Sequence, residues 1–585
     1  MRNTLYIVSY KISSTLSSPF ADGLDTQSDA HEPASRWSAW LTCLALMAMA
    51  TLFRLYLLTS TLAHLDSDQA VLGLMAFHVQ AGDRPIFYAN QPYMGSLEAY
   101  LAAAVFKVWG ATELTVRLPA LLCSVLFVGT VYWLGALLYG RWIAVLSGLL
   151  VALAPAILIT WSTAAGAGYI EAMLCGTLLF ILAVYYPDPR AMPLPAALIA
   201  GLLAGVGIWM EPLIAEYLLP LAIFLSLYVL LRLRRRPAWQ MLILARNLLA
   251  IALGAALGAA PFLSYNLANG WQTLIYLQAR QPLSAPLEVV SGLVRETLPI
   301  LVGFVSPTSV SAVFAQDVAA HPLHYLAGLL VAASLLGRIV LDPRNLPLRL
   351  LSLIRLAPWE RDHQAAGSRG SGYDLTLADT GQRAHSDGLL ALFTIICVLG
   401  FVFTGFGAVH WATHSPRYLI PIYTVTPLIV GCVVPRGAGR LDRWAAALAV
   451  AVLVVTSALT SATADPRSGI DDLTRHLRAS GVRVVYTDYW LANRISFLTH
   501  EAVLGIAVDH GLRLGETRFP AYLTTAAGTP TAGLAWIMPT GSIADKRLRL
   551  ILHRQRVRAT HTFWRDQTIY TGLSAPLRAP ITIRW

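Results

Sequence analysis

Two carboxylates, Asp66 and Asp68, stand one residue apart in the stretch HLDSDQAVLGLMAFHVQ. A carboxylate there can act as a general base towards a hydroxyl, or give oxygen ligands to a divalent metal ion. By itself the Asp-x-Asp spacing is weak. The plainer reading is a helix start, with Asp66 or Ser67 as the cap and an acid in the first turn, where the helix dipole favours negative charge. Behind the pair, Ala70, Leu74, Phe77 and Val79 fit a short amphipathic helix lying in a membrane interface.

The elements that must position these acids are membrane spans. Of 585 residues, 56% are hydrophobic and 13% charged, against about a quarter charged in ordinary soluble domains. Runs such as WIAVLSGLLVALAPAILIT and WAAALAVAVLVVTSALTSAT approach the roughly 20 residues that cross a bilayer as helix. In lipid every backbone N–H and C=O must be paired within the segment, which makes such runs helical. Spans are predicted over 38–61, 114–138, 142–158, 169–187, 193–210, 212–231, 241–265, 323–341, 389–409, 418–435 and 444–463, about eleven in all, with 97–109 and 290–316 apolar but short or broken. The first acts as an uncleaved anchor behind a polar, Ser-rich cytoplasmic tail, residues 1–37.

Orientation follows from the basic residues. With the N-terminus inside, the cytoplasmic loops collect Arg141, Arg190, Arg232, Arg234, Arg235, Arg236, the Arg344–Arg383 loop and Arg436, Arg440 and Arg443. The opposite loops hold only scattered cations, and the first outer loop, 62–113, carries the acid pair. The net charge of +11 is spread along span flanks rather than gathered on one face, which argues against a nucleic-acid partner. All five cysteines lie in apolar stretches and read as small hydrophobes. The loop 342–388 is rich in Gly, Ser and mixed charge and is expected to be partly unstructured. Residues 464–585 change character. Strand-length runs (VRVVYT, GLAWIMP, TIYTG) alternate with helix-like pieces, which suggests a small α/β domain outside the membrane.

Ordered blocks along the chain resemble the GT-C class of membrane glycosyltransferases, of the protein mannosyltransferase/aminoarabinose-transferase type (glycosyltransferase family 39-like). The blocks are SDQAVLGLMAFHVQAGDRPIFY after the first span, PYMGSLEAYLAAAVFKVWGATELTVRLPALL into the second, AGAGYIEAMLCG, GVGIWMEP, and HSPRYLIPIY before a late span. The resemblance covers about 38–435 and makes 38–463 a GT-C-like transmembrane catalytic domain in an all-α polytopic protein. It implies an inverting transferase of the plasma (inner) membrane that moves a hexosyl or pentosyl unit from a polyprenyl-phosphate donor among the membrane lipids. The acceptor, a protein, lipid or glycan, would lie on the outer face.

The same resemblance places the catalytic carboxylate on Asp68. It departs from the family's Asp-Glu pair at Gln69, where Asp66 is the natural substitute. Glu171 and Glu211, at outer span ends, are candidates for binding sugar hydroxyls or supplying a second carboxylate, with a helix-end acid in a polar gap as the alternative. For the donor phosphate the best cation is Arg417, with His414 and Tyr418 beside it in THSPRY. Lys107 and Arg117 come second, Lys107 more readily as a side chain snorkelling from an interfacial helix. In TDYWLANRISFLTHE, the residues Asp488, Tyr489, Trp490 and Arg494 suit sugar contact, although a strand-to-helix junction explains them more simply. The competing function class is a lipid or sugar transporter or flippase, which calls for acids and broken helices near mid-membrane.

Overall fold

The computed structural model describes residues 36–60, 65–232, 237–279, 286–302, 375–404, 415–433 and 469–577. The expected spans 323–341 and 444–463, nearly all of the tail 1–37, most of the loop 342–388 and His414 lie outside the described residues.

The first helix, α1 (Arg36–Ser60), is followed by α2 (Ser67–Ala81), the antiparallel ribbon β1 (Phe87–Tyr88) and β2 (Gln91–Gly95), and α3 (Leu97–Trp109). The helical bundle continues through α4 (Leu118–Tyr139), α5 (Arg141–Ala152), α6 (Ala156–Thr163), α7 (Tyr169–Tyr185), α8 (Leu194–Met210), α9 (Ala215–Arg232) and α10 (Ala238–Gly258). Shorter helices follow, α11 (Ala260–Ala268), α12 (Gln272–Ala279), α13 (Pro286–Gly292) and α14 (Leu298–Val302), and then α15 (Leu375–Phe403) and α16 (Thr426–Val433).

Among the described residues four helical stretches are long and apolar enough to cross a membrane: Ser38–Thr59, Thr115–Tyr139, Trp239–Gly258 and Ser386–Phe403. Other expected spans are shorter or interrupted, and proline accounts for two of the breaks. The run expected over 142–158 bends by 73° between α5 and α6, because Pro155 has no N–H to give and disfavours helix at the residue before it. The run expected over 418–435 is a 3-10 segment, Ser415–Thr424, with Pro421 inside it, followed by α16. Conversely, α15 starts at Leu375, so part of the loop expected to be unstructured is helical.

The α5–α6 break leaves carbonyls without helical partners, and a cation supplies them. Arg54 of α1, fully buried, donates from Nη1 to Ala152 O (2.8 Å) and from Nη2 to Val151 O (3.0 Å). Its Nε bonds Ser124 Oγ at 2.8 Å. Elsewhere α8 and α10 meet through Gly201, Gly205, Gly254 and Gly258. A Cβ at any of the four would lie 2.0–2.4 Å from a backbone carbonyl oxygen of the other helix, the close approach that small-xxx-small spacing permits in lipid.

Residues 470–571 form a five-stranded sheet with four helices: α17 (Ile470–Ala479), β3 (Val484–Thr487), α18 (Tyr489–Leu498), β4 (Leu504–Ala507), α19 (Pro520–Gly528), β5 (Leu534–Pro539), α20 (Ile543–Arg554), β6 (Thr560–Trp564) and β7 (Gln567–Thr571). The order is β4-β3-β5-β7-β6, with β3 parallel to both β4 and β5 and the remaining pairs antiparallel. Strands buried on both faces need cover on both. Leu473, Leu477 and Ile495 of α17 and α18 pack on one set of sheet residues, and Leu548 and Leu552 of α20 on another.

This unit shares a core with the start of the chain. Leu72, Met75, Ala102 and Phe106 of α2 and α3 cluster with Val484, Phe497, Ile506 and Tyr522. Phe497 presses on Gly73 so closely that a Cβ there would sit 2.3 Å from its ring. The expectation of an interfacial amphipathic α2 is thereby corrected. Residues Gln69–Ala76 are all buried, because the helix is apolar nearly all round and is covered by protein.

Candidate active site

The acid pair opens α2, and its two members do different work. Asp66 is the N-cap: Oδ1 accepts from Gln69 N (2.7 Å) and Oδ2 from Gln69 Nε2 (3.1 Å). Burial, and next the charge of Asp68, push its pKa up. Asp68 lies in the first turn with its side chain 47% exposed. Its backbone carbonyl accepts from Tyr88 Oη at 2.6 Å.

The remaining contacts of Asp68 come from the far end of the chain. Tyr489 Oη donates to Asp68 Oδ1, and Arg518 Nη2 reaches the same oxygen at 3.3 Å. Arg518 Nε also bonds Tyr489 Oη at 2.9 Å. The guanidinium, with a side chain 3% exposed, pairs with Glu516 at 3.0 Å and lies over the rings of Tyr88 and Tyr489. Burial and then the Asp68 charge hold the Tyr489 phenol up, so it remains a protonated donor. Asp488 caps α18 through bonds from Trp490 N and Leu491 N, so the junction reading holds for that residue while Tyr489 reaches into the acid pair.

Gln69, the point of departure from the family pattern, is fully engaged. Its Oε1 accepts from Arg117 Nε (2.6 Å) and from Ala165 N (3.4 Å), while its Nε2 serves Asp66. Arg117 is 2% exposed and acts here as an inner support of the acid pair.

The loop 164–168 ties the other candidates together. Gly166 N donates to Glu98 Oε2, and Gly166 packs on the Tyr88 ring. Gly166 and Gly168 adopt φ of +80° and +68°, and a Cβ on Gly168 would meet Met210 O at 3.0 Å. Glycine is needed there for both backbone and space. Glu171, at the start of α7, adjoins Glu98, and both are buried. Burial and then Glu171 hold Glu98 well above the usual carboxylate range. Glu211 follows α8 and is 4% exposed, next to Gly168 and within the field of Arg417.

Arg417 donates from Nη2 to Tyr418 Oη at 2.8 Å and lies over the rings of Trp161 and Tyr418. Its Nε is buried without a partner among the described residues. Lys107 sits exposed in the last turn of α3, beside exposed Val108 and Trp109, apart from the acids. Among the described residues no three His, Cys, Asp or Glu groups converge as metal ligands.

Sequence reading did not single out Glu98, Arg518 or Arg54. For Glu98 and Arg54 a signal existed, a charged residue within an otherwise apolar helix. Arg518 had none.

A model of the family described as Dolichyl-phosphate-mannose-protein mannosyltransferase matches residues 91–265. No curated protein matches the chain. Two crystal structures of ArnT from Cupriavidus metallidurans, one apo and one bound to undecaprenyl phosphate, superpose with a TM-score of 0.55 at 12% identity. Each alignment covers 92% of this chain and 98% of that one. The chain thus shares the ArnT fold over nearly its whole length, carries the mannosyltransferase pattern in part of it, and resembles the GT-C membrane glycosyltransferases.

Proposed function

We propose that the chain is an inverting glycosyltransferase that takes a hexosyl or pentosyl unit from a polyprenyl-phosphate donor and passes it to an acceptor hydroxyl at the outer face of the plasma membrane. The observation that carries this is Asp68: a half-exposed carboxylate just past the first span, fixed at Oδ1, with no partner at Oδ2 among the described residues. Oδ2 takes the proton of the acceptor hydroxyl as its oxygen bonds the anomeric carbon. The bond from that carbon to the phosphate oxygen breaks with its electron pair, and a single displacement inverts the centre. Arg417, whose Nε has no partner among the described residues, is the cation for the departing lipid phosphate. Glu171 and Glu211 are the groups for sugar hydroxyls, with Glu98 packed behind Glu171. The undecaprenyl phosphate bound by ArnT supports a donor of this kind. The acceptor is a protein, a lipid or a glycan, and residues 464–585 lie on its side of the membrane.

The test is incubation of membranes holding the full chain with a panel of radiolabelled polyprenyl-phosphate sugars, followed by identification of the labelled product. Transfer that depends on Asp68 is expected. Movement of labelled lipid across the bilayer with no sugar transferred would instead make the chain a flippase.

A further inference from the structure

Tyr489 and Arg518 come from the sheet unit, yet both end on one oxygen of one carboxylate at the membrane edge. Docking does not need them there. Ser67 Oγ already bonds Tyr489 O (2.6 Å) and accepts from Asn493 Nδ2 (2.8 Å). Phe497 fills the space over Gly73, and His78 pairs with Glu501 at 2.8 Å.

The arrangement at Asp68 is more specific than docking. Tyr88 fixes its main chain, Tyr489 and Arg518 fix Oδ1, and Oδ2 has no partner among the described residues. Arg518 is itself immobilised, with Nη1 on Ala89 O (3.3 Å), Nε on Tyr489 Oη, Glu516 beside it and the rings of Tyr88 and Tyr489 within 5.6 Å of its Cζ. A planar guanidinium bonded on several edges is a rigid reference. A free Asp side chain would turn among its rotamers, presenting either oxygen in any of several directions.

We infer that Tyr489 and Arg518 are positioning residues: they hold the Asp68 carboxylate by Oδ1 so that Oδ2 points steadily at the acceptor hydroxyl. The sheet unit is then a working part of the active site. This rests on the transferase reading with Asp68 as base. A misplacement of about 1 Å at a reacting group can cost about a hundredfold in rate, so two donors that remove that freedom are worth their burial.

The test uses full-length protein in membranes with the labelled donor found active. Tyr489→Phe removes a single hydroxyl and is expected to lower kcat by ten- to about a hundredfold with donor KM within twofold. Arg518→Gln should act likewise, and Arg518→Lys should recover part of that loss. His78→Gln, which weakens docking away from Asp68, should leave kcat near normal. On an Asp68→Asn background Tyr489→Phe should cost nothing further, since the group it orients no longer takes a proton. Normal kcat in Tyr489→Phe and Arg518→Gln would overturn the inference, as would equal losses in His78→Gln or an undiminished effect on the Asp68→Asn background. Full transfer by Asp68→Asn would overturn the transferase reading of the base, and this inference with it. An inactive Asp68→Asn beside a fully active Tyr489→Phe would remove the inference alone.

Discussion

Gln69 and Arg117 are joined by a 2.6 Å hydrogen bond from Nε to Oε1, and the other end of the same amide holds Asp66. An amide can face a cation with its oxygen and an acid with its nitrogen; a carboxylate cannot. In Gln69→Glu the Arg117 side gains, while Asp66 loses a donor and faces a second buried acid. A destabilisation of about 1–3 kcal/mol is expected, read as a lower melting temperature in detergent. Gln69→Leu, which strands Asp66 and Arg117 together, should melt lower still.

Asp66 and Asp68 should separate in mutation. In Asp68→Asn an oxygen still accepts from Tyr489 and Arg518, so folding is kept while the proposed general-base assistance, worth about 10²–10⁴ in rate, is lost. Asp66→Asn keeps one acceptor but puts an amide where both oxygens receive donors. Its main cost is in stability, about 0.5–2 kcal/mol for a weakened cap. Turnover beside thermal melting of both variants checks the division.

The His78–Glu501 pair makes docking of the sheet unit depend on pH. His500 and Glu501 take left-handed φ of 52° and 61° just after α18, and Glu501 also accepts from Tyr522. The His78 pKa is raised above 6.5, chiefly by its bond to Glu501 and further by the charges of Glu501 and Asp83, against burial. Burial would raise Glu501, but the bonds from His78 and Tyr522 hold it below 4.5. The His78 contribution is therefore complete below pH 6.5 and lost as pH rises through its raised value. The Glu501 contribution is complete above pH 4.5 and lost as pH falls through its lowered value. Exchange protection of α2 and α18, relative to the intrinsic rate at each pH, should be greatest between these limits and fall as pH rises through the raised His78 value, and His78→Gln should flatten that fall.

Arg54 should prove structural. Arg54→Leu leaves the carbonyls of Val151 and Ala152 without donors inside the bundle, at about 1–3 kcal/mol for each unsatisfied group. A sharp fall in folded yield is expected, with Arg54→Lys restoring part of it by serving one carbonyl. Yield by size-exclusion chromatography in detergent measures both.

The sequence made some of this visible and hid the rest for identifiable reasons. Helices α1, α4, α10 and α15 announce themselves because an unbroken apolar run has no other way to satisfy its backbone in lipid. The break at Pro155 was readable from the proline, yet the apolar content around it suggested one span. The helix α2 has the right length, but local periodicity carries no information about cover arriving from Phe497. Glu171 and Glu211 sat in quoted motifs because each is a charge among apolar neighbours, and Asp66 and Asp68 because they stand one residue apart. Arg518, in the polar stretch GETRFP, looked like any surface arginine. Only folding shows that it ends, almost wholly buried, against Asp68.

The bond between Asp68 and Tyr489 spans 421 positions of chain, and this has a consequence for biogenesis. Early in synthesis α2 is made with Gly73 and Phe77 lacking the cover of Phe497 and with Asp68 unheld. More than two thirds of the protein must still be made before the covering unit exists. Contacts of such separation form late and slowly, and exposed apolar surface in the interval invites misassembly. The nascent chain therefore carries Asp68 without its Tyr489 and Arg518 donors until the sheet unit folds. On the proposed reading, a truncated product lacking the sheet unit would be an inert membrane bundle rather than an unregulated transferase.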